Sequence, residues 1–436
     1  MNYEPVIGLE VHVELNTKSK MFCRCNAGYF GKEPNTHTCP VCLGLPGALP
    51  YINEQAIDKC MQIGLALGCK VSEKNLFERK NYFYPDLSKG YQISQYRWPL
   101  CVGGEITLSD GSLIRINRVH QEEDTGKLTH QGNQTLIDFN RSGVPLVEIV
   151  TEPDFKTSEQ IRDYAKKLQQ LFRYLGVSNA DMERGDMRLE ANISVRIVGQ
   201  KELPPYRVEL KNINSFRFMV AAVEYEIKRQ ITAIEAGEKL TQETRGWDQV
   251  KKITYVQRSK EEANDYRYFP EPDLPELRIE TPRVENLESN LPELPWEKSK
   301  RFEGELSIKK ADAEILAETV ELAAYFEEVV KEGKKGGVEP KDIANYIINK
   351  KVNINSVSHG QVIEEIKGKS AGVIDSSQEL EKVAKEVLDE NPNFVETYKA
   401  GKTTVIMALV GAAMKKTSGK ADAQKVREIL EELLKA

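Results

Sequence analysis

The sequence predicts an α+β protein, with a strand-rich part from Met1 to about Arg278 that carries inserted helices, and an all-helical part after it. Three observations carry this. In the first part apolar and polar residues alternate in several stretches, which is the period of a strand with one buried face. Six prolines between Phe269 and Trp296 exclude continuous regular structure there. Beyond Trp296 only Pro340 and Pro392 remain, and helical spacing dominates. The division expected from these signals is a first domain over 1–290, a helical domain over 291–375 and a helical tail over 376–436.

The first strand is Ile7 to Leu15: Ile7, Leu9, Val11, Val13 and Leu15 share one face, and Gly8, Glu10, His12 and Glu14 the other. A helix is expected over Glu54–Leu67. A strand-like Leu113-Ile114-Arg115-Ile116 leads into the acidic run Val119 to Lys127, which holds Glu122 and Glu123. Alternation returns at Leu146–Glu152, where Glu148 and Glu152 share a face, and a helix follows over Thr157–Leu175. Met187–Ile197 and Tyr206–Lys211 alternate in the same way, and Ser215–Ala236 is helical. In the second part Ala311–Lys331 reads as one long helix. Ser376-Ser377-Gln378-Glu379 is a capping box, and Thr403–Met414 and Ala423–Leu434 form a helix pair broken at Gly419.

Solvated strand faces are usually rich in Thr, Lys and Ser. These faces carry Glu, His, Asn and Arg instead, a composition suited to a divalent cation and anionic oxygens. Glu10, His12, Glu122, Glu123, Glu148, Glu190 and Glu209 would supply the metal side, and Arg188, Arg207 and Lys211 the anion side. A lone histidine on a strand is more often a hydrogen-bonding residue, but the glutamates on both sides of His12 make the ligand reading equal to it.

The net charge of −6 gives no general attraction to nucleic acid, so a polyanionic partner needs a local basic patch. No apolar run approaches the roughly 20 residues of a membrane span, and the start lacks signal-peptide character. With seven cysteines and no export signal, a reducing cytoplasm is expected, where cysteine spacing reads as metal or thiol chemistry. Cys23, Cys25, Cys39 and Cys42 have the spacing of a structural zinc cage within a loop over 21–44, the alternative being four reduced buried thiols. Cys60, Cys69 and Cys101 read as core residues.

Gly401-Lys402-Thr403-Thr404 is not a phosphate loop, because Glu396 stands where the first glycine is required. There is no serine nucleophile elbow and no His-Glu-x-x-His helix. The aromatic runs Asn81–Asp86, Lys89–Tyr96 and Asp265–Asp273 fit either a core or a surface that stacks bases.

Five motifs resemble, in order, the B-type component of tRNA-dependent aspartyl/glutamyl amidotransferases, the GatB family. They are Val6–Leu15, Arg79–Asp86, His120–Lys127, Lys211–Arg217 and Asp265–Asp273, and the resemblance covers nearly all of the chain. It implies a curved antiparallel cradle like that of glutamine synthetase, followed by helical domains and a tRNA-binding tail. It implies a heterotrimer with an amidase subunit and a small third subunit. Its activity would use ATP and Mg²⁺ to phosphorylate the side-chain carboxylate of Glu-tRNA(Gln) or Asp-tRNA(Asn), after which ammonia from the amidase displaces phosphate. Catalysis and Mg²⁺ binding would fall to Glu10, His12, Glu122, Glu123 and Glu190. Contacts with ATP or the substrate carboxylate would fall to Glu148, Arg188, Glu209, Lys211 and Asn214. The cysteine quartet matches a zinc site found in some members.

Two departures stand out. The family reads Leu-Arg-Cys-Asp-Ala-Asn where this chain has Met187-Arg188-Leu189-Glu190-Ala191-Asn192, so Glu190 carries one more methylene. The stretch from Gln361 to Leu380 is shorter than the usual helical domain, while the tail keeps Gly401-Lys402 and Lys415 to Lys420. A stand-alone ATP:carboxylate ligase and a non-catalytic tRNA-binding protein are the rival readings.

Overall fold

The computed structural model describes residues 2–259, 266–370, 377–417 and 421–435. The chain divides into two compact units, Met1–Glu297 and Lys298–Ala436.

The first unit is built on a large, mostly antiparallel sheet. Its principal strands, with a neighbouring hairpin, are β1 (Tyr3–Glu14), β2 (Glu78–Asn81), β3 (Tyr91–Ser94), β4 (Leu113–Glu123), β5 (Pro145–Thr151), β6 (Met187–Ile197), β7 (Val208–Ile213), β8 (Glu243–Asp248) and β9 (Ile253–Ser259). The ten-stranded sheet runs β9-β8-β7-β6-β1-β5-β4, then the short strands Cys101–Val102 and Lys70–Val71, with Glu105–Thr107 also paired to β4. Only β7 and β8 run parallel among the described pairs. β1 therefore lies inside the sheet, bonded to β5 on one side and β6 on the other.

The alternation of β1 is realised directly. Ile7, Leu9, Val11 and Val13 are buried in one core with helices α1 (Glu54–Ala66), α2 (Ser158–Tyr174) and α3 (Phe216–Glu235). That packing leaves Glu10 and His12 on the opposite face. Helix α2 starts where the sequence signalled: Thr157 caps it and Gln160 closes a reciprocal capping box, an arrangement worth about 1 kcal/mol. In the proline-rich stretch, helix α4 (Thr281–Ser289) accommodates a proline in its first turn, where the missing N–H has no partner to lose.

Strands β2 and β3 form a small sheet with Phe269–Pro270. The segment after Tyr266 is held across it by a two-pronged pair: Arg79 Nε and Nη2 donate to the Glu271 carboxylate at 2.7 and 2.8 Å. Glu271 is buried, so replacing it with Gln removes a charge-assisted pair. We expect Glu271→Gln to cost roughly 1.5–3 kcal/mol in a denaturant melt. A variant as stable as the parent would show that this clamp does not hold the segment.

The helices from the end of the first unit onward are α5 (Pro295–Leu306), α6 (Lys310–Leu316), α7 (Val320–Gly336), α8 (Pro340–Lys350), α9 (His359–Ser370), α10 (Ser377–Glu390), α11 (Pro392–Lys399), α12 (Ile406–Lys416) and α13 (Ala423–Lys435). One core gathers Phe302, Phe326, Val329, Ile343 and Val362, and another gathers Leu380, Leu409, Val426 and Leu430.

The single helix expected over Ala311–Lys331 is in fact two. Thr319 breaks it, because its hydroxyl accepts the Leu322 N–H and so caps a new helix. Lys416, one of the tail lysines, is engaged by Glu386 and Glu390 at 2.9 and 2.6 Å. Asp265 of the aromatic motif, Ser376 of the capping box, Gly419 and the motif end Ser418–Lys420 lie outside the described residues. Among the described residues no helix is long and apolar enough to cross a membrane.

Candidate active site

Strand register assembles the polar face. His12 on β1 lies opposite Glu148 on β5 and Arg188 on β6, and Glu148 lies opposite His120 on β4. One row of the sheet thus reads His120, Glu148, His12, Arg188. Two residues back along β1, Glu10 faces Glu190, and farther along β6 Asn192 faces Glu209. Residues that pair across strands share a face, so chain segments far apart in sequence deliver their side chains to one surface.

Two groups on this face bring their ligand atoms within 4.8 Å of one another: His12, Glu122 and Glu148, and Glu10, Glu190 and Glu209. In the first, His120 Nε2 lies 3.1 Å from Glu148 and 3.4 Å from Glu122, while His12 Nε2 lies 3.8 Å from Glu148. Ser94 Oγ and Gln92 Nε2 donate to the two oxygens of Glu122 at 2.6 and 3.1 Å. In the second, Lys211 Nζ bridges Glu190 and Glu209 at 2.8 and 3.1 Å. Asn192 donates to Glu10 at 2.9 Å, and Thr244 donates to Glu209 at 3.0 Å. Each group thus offers glutamate oxygens held in place by hydrogen-bonding neighbours, and the first adds a histidine; such donor sets fit a hard divalent ion.

The sequence-predicted residues do not all join these groups. Glu148 and Glu209, which the face composition put on the metal side and the resemblance assigned to ATP or the carboxylate, sit among the metal-capable side chains. Glu123 is buried away from both groups, pairs with Lys89 and accepts the Ile93 N–H at 3.0 Å. Arg188 donates to Asp124 at 2.6 Å, and Asn214 and Arg207 are exposed at either end of β7. His120 and Lys80 are additions to the expected set. His120 is detectable from its place two residues before Glu122 on the same strand face. Lys80 is not, because its approach depends on β2 pairing with β3, where Lys80 lies opposite Gln92.

The face divides its charges by environment. Burial pushes the Glu122 carboxyl up, but Lys80 and His120 outweigh it and hold the group at about 2. Glu148 is likewise held well below the usual range, burial being overcome by His120 and His12. Burial and the neighbouring Glu148 and Glu190 raise Glu10. Burial disfavours the charged form of His120, but Glu148 and Glu122 more than offset it and leave His120 raised.

These shifts set a stability profile for the chain without added divalent ion. Glu122 and Glu148 stabilise the fold fully above the ordinary carboxyl value of 4.5, and their contribution is lost as pH falls below it. His120 acts oppositely: its contribution is complete below 6.5 and is lost as pH rises through its raised value. As pH rises above 6.5, melting temperature should therefore fall less steeply in His120→Gln than in the parent. An unchanged alkaline limb in that variant would remove His120 from the profile.

At a second place, Cys23, Cys25, Cys39 and Cys42 converge, with their sulfurs within 4.8 Å of one another. Lys20 is fully buried beside them. Its Nζ donates to the His37 and Phe139 carbonyls at 2.7 and 3.3 Å and lies 3.6 Å from Cys42 Sγ. The Cys42 thiol is pulled down to about 5 by a hydrogen bond from Cys23, against burial and with help from Lys20. Four convergent sulfurs with an ammonium at their edge are a donor set that could hold a structural metal.

A family model described as the GatB/GatE catalytic domain matches residues 5–285, and one described as the GatB domain matches residues 323–434. The chain belongs to the GatB family. GatB relatives named as the B component of aspartyl/glutamyl-tRNA(Asn/Gln) amidotransferase occur in Persephonella marina, 44% identical with all of both chains covered, and in Carboxydothermus hydrogenoformans, 43% identical with 99% of each covered. The relative of that name in Thermodesulfovibrio yellowstonii is 45% identical over the whole of both chains. The Persephonella GatB alignment runs over 479 residues, more than the 436 of this chain, so that relative carries residues for which this chain has no counterpart.

Proposed function

We propose that this chain is the carboxylate-activating subunit of a glutamyl/aspartyl-tRNA amidotransferase. It would act on Glu-tRNA(Gln) and/or Asp-tRNA(Asn) with ATP as co-substrate. The observation that carries the reading is the pair of metal-capable groups side by side on one sheet face, in a chain of this family. A carboxylate is inert to ammonia until its oxygen becomes a leaving group. Transfer of the γ-phosphoryl group of ATP to that oxygen gives an acyl phosphate and ADP. Attack by ammonia then gives the amide and inorganic phosphate.

Mg²⁺, when bound, neutralises charge on the transferred phosphoryl group. The residues that would hold it are His12, Glu122 and Glu148 in one group, and Glu10, Glu190 and Glu209 in the other. Lys80 and Lys211 balance the carboxylates from their flanks and offer cations to phosphate oxygens. Glu190, one methylene longer than the Asp of the family pattern, reaches Lys211 as well as the group. No covalent enzyme intermediate is required, so positioning and electrostatics supply the rate.

The same reading makes the sheet a curved cradle like that of glutamine synthetase. It makes the cysteine quartet a structural zinc site, with four thiolates closing the coordination shell. Residues 291–375 become a shortened helical domain and 376–436 a tRNA-binding tail that presents Lys402 and Lys415. Ammonia would come from an amidase subunit, with a small third subunit completing the cytoplasmic heterotrimer. The test is amidation by the reconstituted complex, offered both misacylated tRNAs. ATP-dependent formation of Gln-tRNA or Asn-tRNA, with one ADP released per amide, is expected. Amidation that proceeds without ATP, or turnover of free glutamate by this chain alone, would refute the proposal.

A further inference from the structure

Beside the acidic face, four tyrosines form a continuous row. Tyr82 meets Tyr266 edge to face with ring centroids 6.0 Å apart and planes at 73°, Tyr266 meets Tyr268 edge to face at 6.2 Å and 74°, and Tyr268 stacks on Tyr96 at 4.6 Å with the planes 17° apart. Two cations lie against the row: Lys80 Nζ is 5.2 Å from the ring of Tyr266, one of its inner members, and the Arg118 guanidinium is 5.6 Å from that of Tyr96 at one end. The row is not sealed in a core, since Tyr96 is 51% and Tyr266 37% exposed.

The row is also rigidly built. Asn81 donates its backbone N–H to the Tyr266 carbonyl at 2.9 Å and its side-chain amide to the Arg267 carbonyl at 2.9 Å. The Arg79–Glu271 clamp fixes the same segment just beyond Tyr268. Its distance from the chemistry is short. Lys80, which touches Tyr266, lies opposite Gln92, and Gln92 bonds Glu122.

We infer that this row stacks the unpaired bases at the 3′ end of tRNA, the terminal adenine first, and so brings the attached aminoacyl carboxylate to the acidic face. The inference rests on the amidotransferase reading above. The reacting carboxylate belongs to an amino acid esterified to a 3′-terminal nucleoside, so a single-stranded end must lie beside Glu122. Unpaired bases bind proteins chiefly by stacking on aromatic rings, with cations offsetting the backbone phosphates. The two exposed rings, Tyr96 and Tyr266, lie on either side of Tyr268 and can each meet a base, whereas the single adenine of ATP would cover one of them. Lys80 and Arg118 supply positive charge beside these rings in a chain whose net charge is −6.

The test uses the purified complex and compares binding of deacylated tRNA with that of the same tRNA trimmed of its terminal adenosine. Trimming should weaken binding roughly tenfold or more. Tyr96→Ala with Tyr266→Ala should bind both forms alike, and Tyr96→Phe with Tyr266→Phe, which keeps the rings, should restore the difference. Equal binding of both forms by the unaltered complex overturns the inference without any variant. An alanine pair that keeps the discrimination and raises the KM for ATP also overturns it, and gives the row to the nucleotide's adenine. Because the comparison needs no turnover, a complex that fails to amidate would count against the amidotransferase reading and leave the stacking result to stand or fall separately.

Discussion

Glu122→Gln should reduce ATP-dependent amidation by roughly 10²–10³-fold while the KM for tRNA changes little. Glu122 is a buried carboxylate held ionised, and each of its oxygens already accepts a hydrogen bond, from Ser94 and from Gln92. An amide in its place turns one acceptor into a donor facing donors. It also removes the charge that balances Lys80 and His120 and one of three donors in the first metal-capable group. Both losses act where the phosphoryl group would be transferred, so they fall on turnover. The check is single-turnover release of ADP by the complex, with a melt to confirm folding. A rate within threefold or so of the parent would remove Glu122 from the reacting centre.

If the cysteine quartet holds a structural metal as proposed, stripping it, or introducing Cys42→Ser, should be the largest stability effect in the first unit. Loss of a structural metal belongs among the changes that exceed roughly 4 kcal/mol, here a fall of about 10 °C in melting temperature. A metal held by the four sulfurs would close the loop between Cys25 and Cys39, and that loop is stitched to the approach to β5. His37 donates its N–H to Asn140 at 2.7 Å, Asn140 donates to the Glu33 carbonyl at 2.7 Å, and Phe139 donates to Asn35 at 2.8 Å. Lys20 bonds the Phe139 carbonyl from the other side. Loosening the cage therefore loosens the strand that carries Glu148. Thiol titration gives an independent reading: four cysteines should become reactive on chelation, while Cys60, Cys69 and Cys101 stay masked by burial. A purified chain with less than half an equivalent of zinc, melting unchanged with chelator, would refute the cage.

Much of the first unit is legible from local pattern. A strand's period is two whatever its partners, so the faces of β1, β5 and β6 can be read one strand at a time. The cysteine quartet is legible for the same reason, because its spacing is local. The grouping of the acidic residues is not. Whether Glu10 belongs with Glu190 or Glu148 with His12 depends on register between strands more than a hundred residues apart, and no single segment contains that information. Lys80 stands in the Arg79–Asp86 motif, but nothing local links it to Glu122, because it acts on that carboxylate from a separate small sheet. The break at Thr319 is hidden because a hydroxyl that caps a helix sits in a sequence whose apolar spacing continues across it.

Glu10 and His12 are carried by a strand whose alternate residues are anchored in the core of the first unit. A slip of one residue in β1 would exchange its two faces, placing carboxylates in the hydrophobic layer and dispersing both metal-capable groups at once. The register therefore ties the site to the core: a chain that has not completed its core has neither metal-capable group assembled.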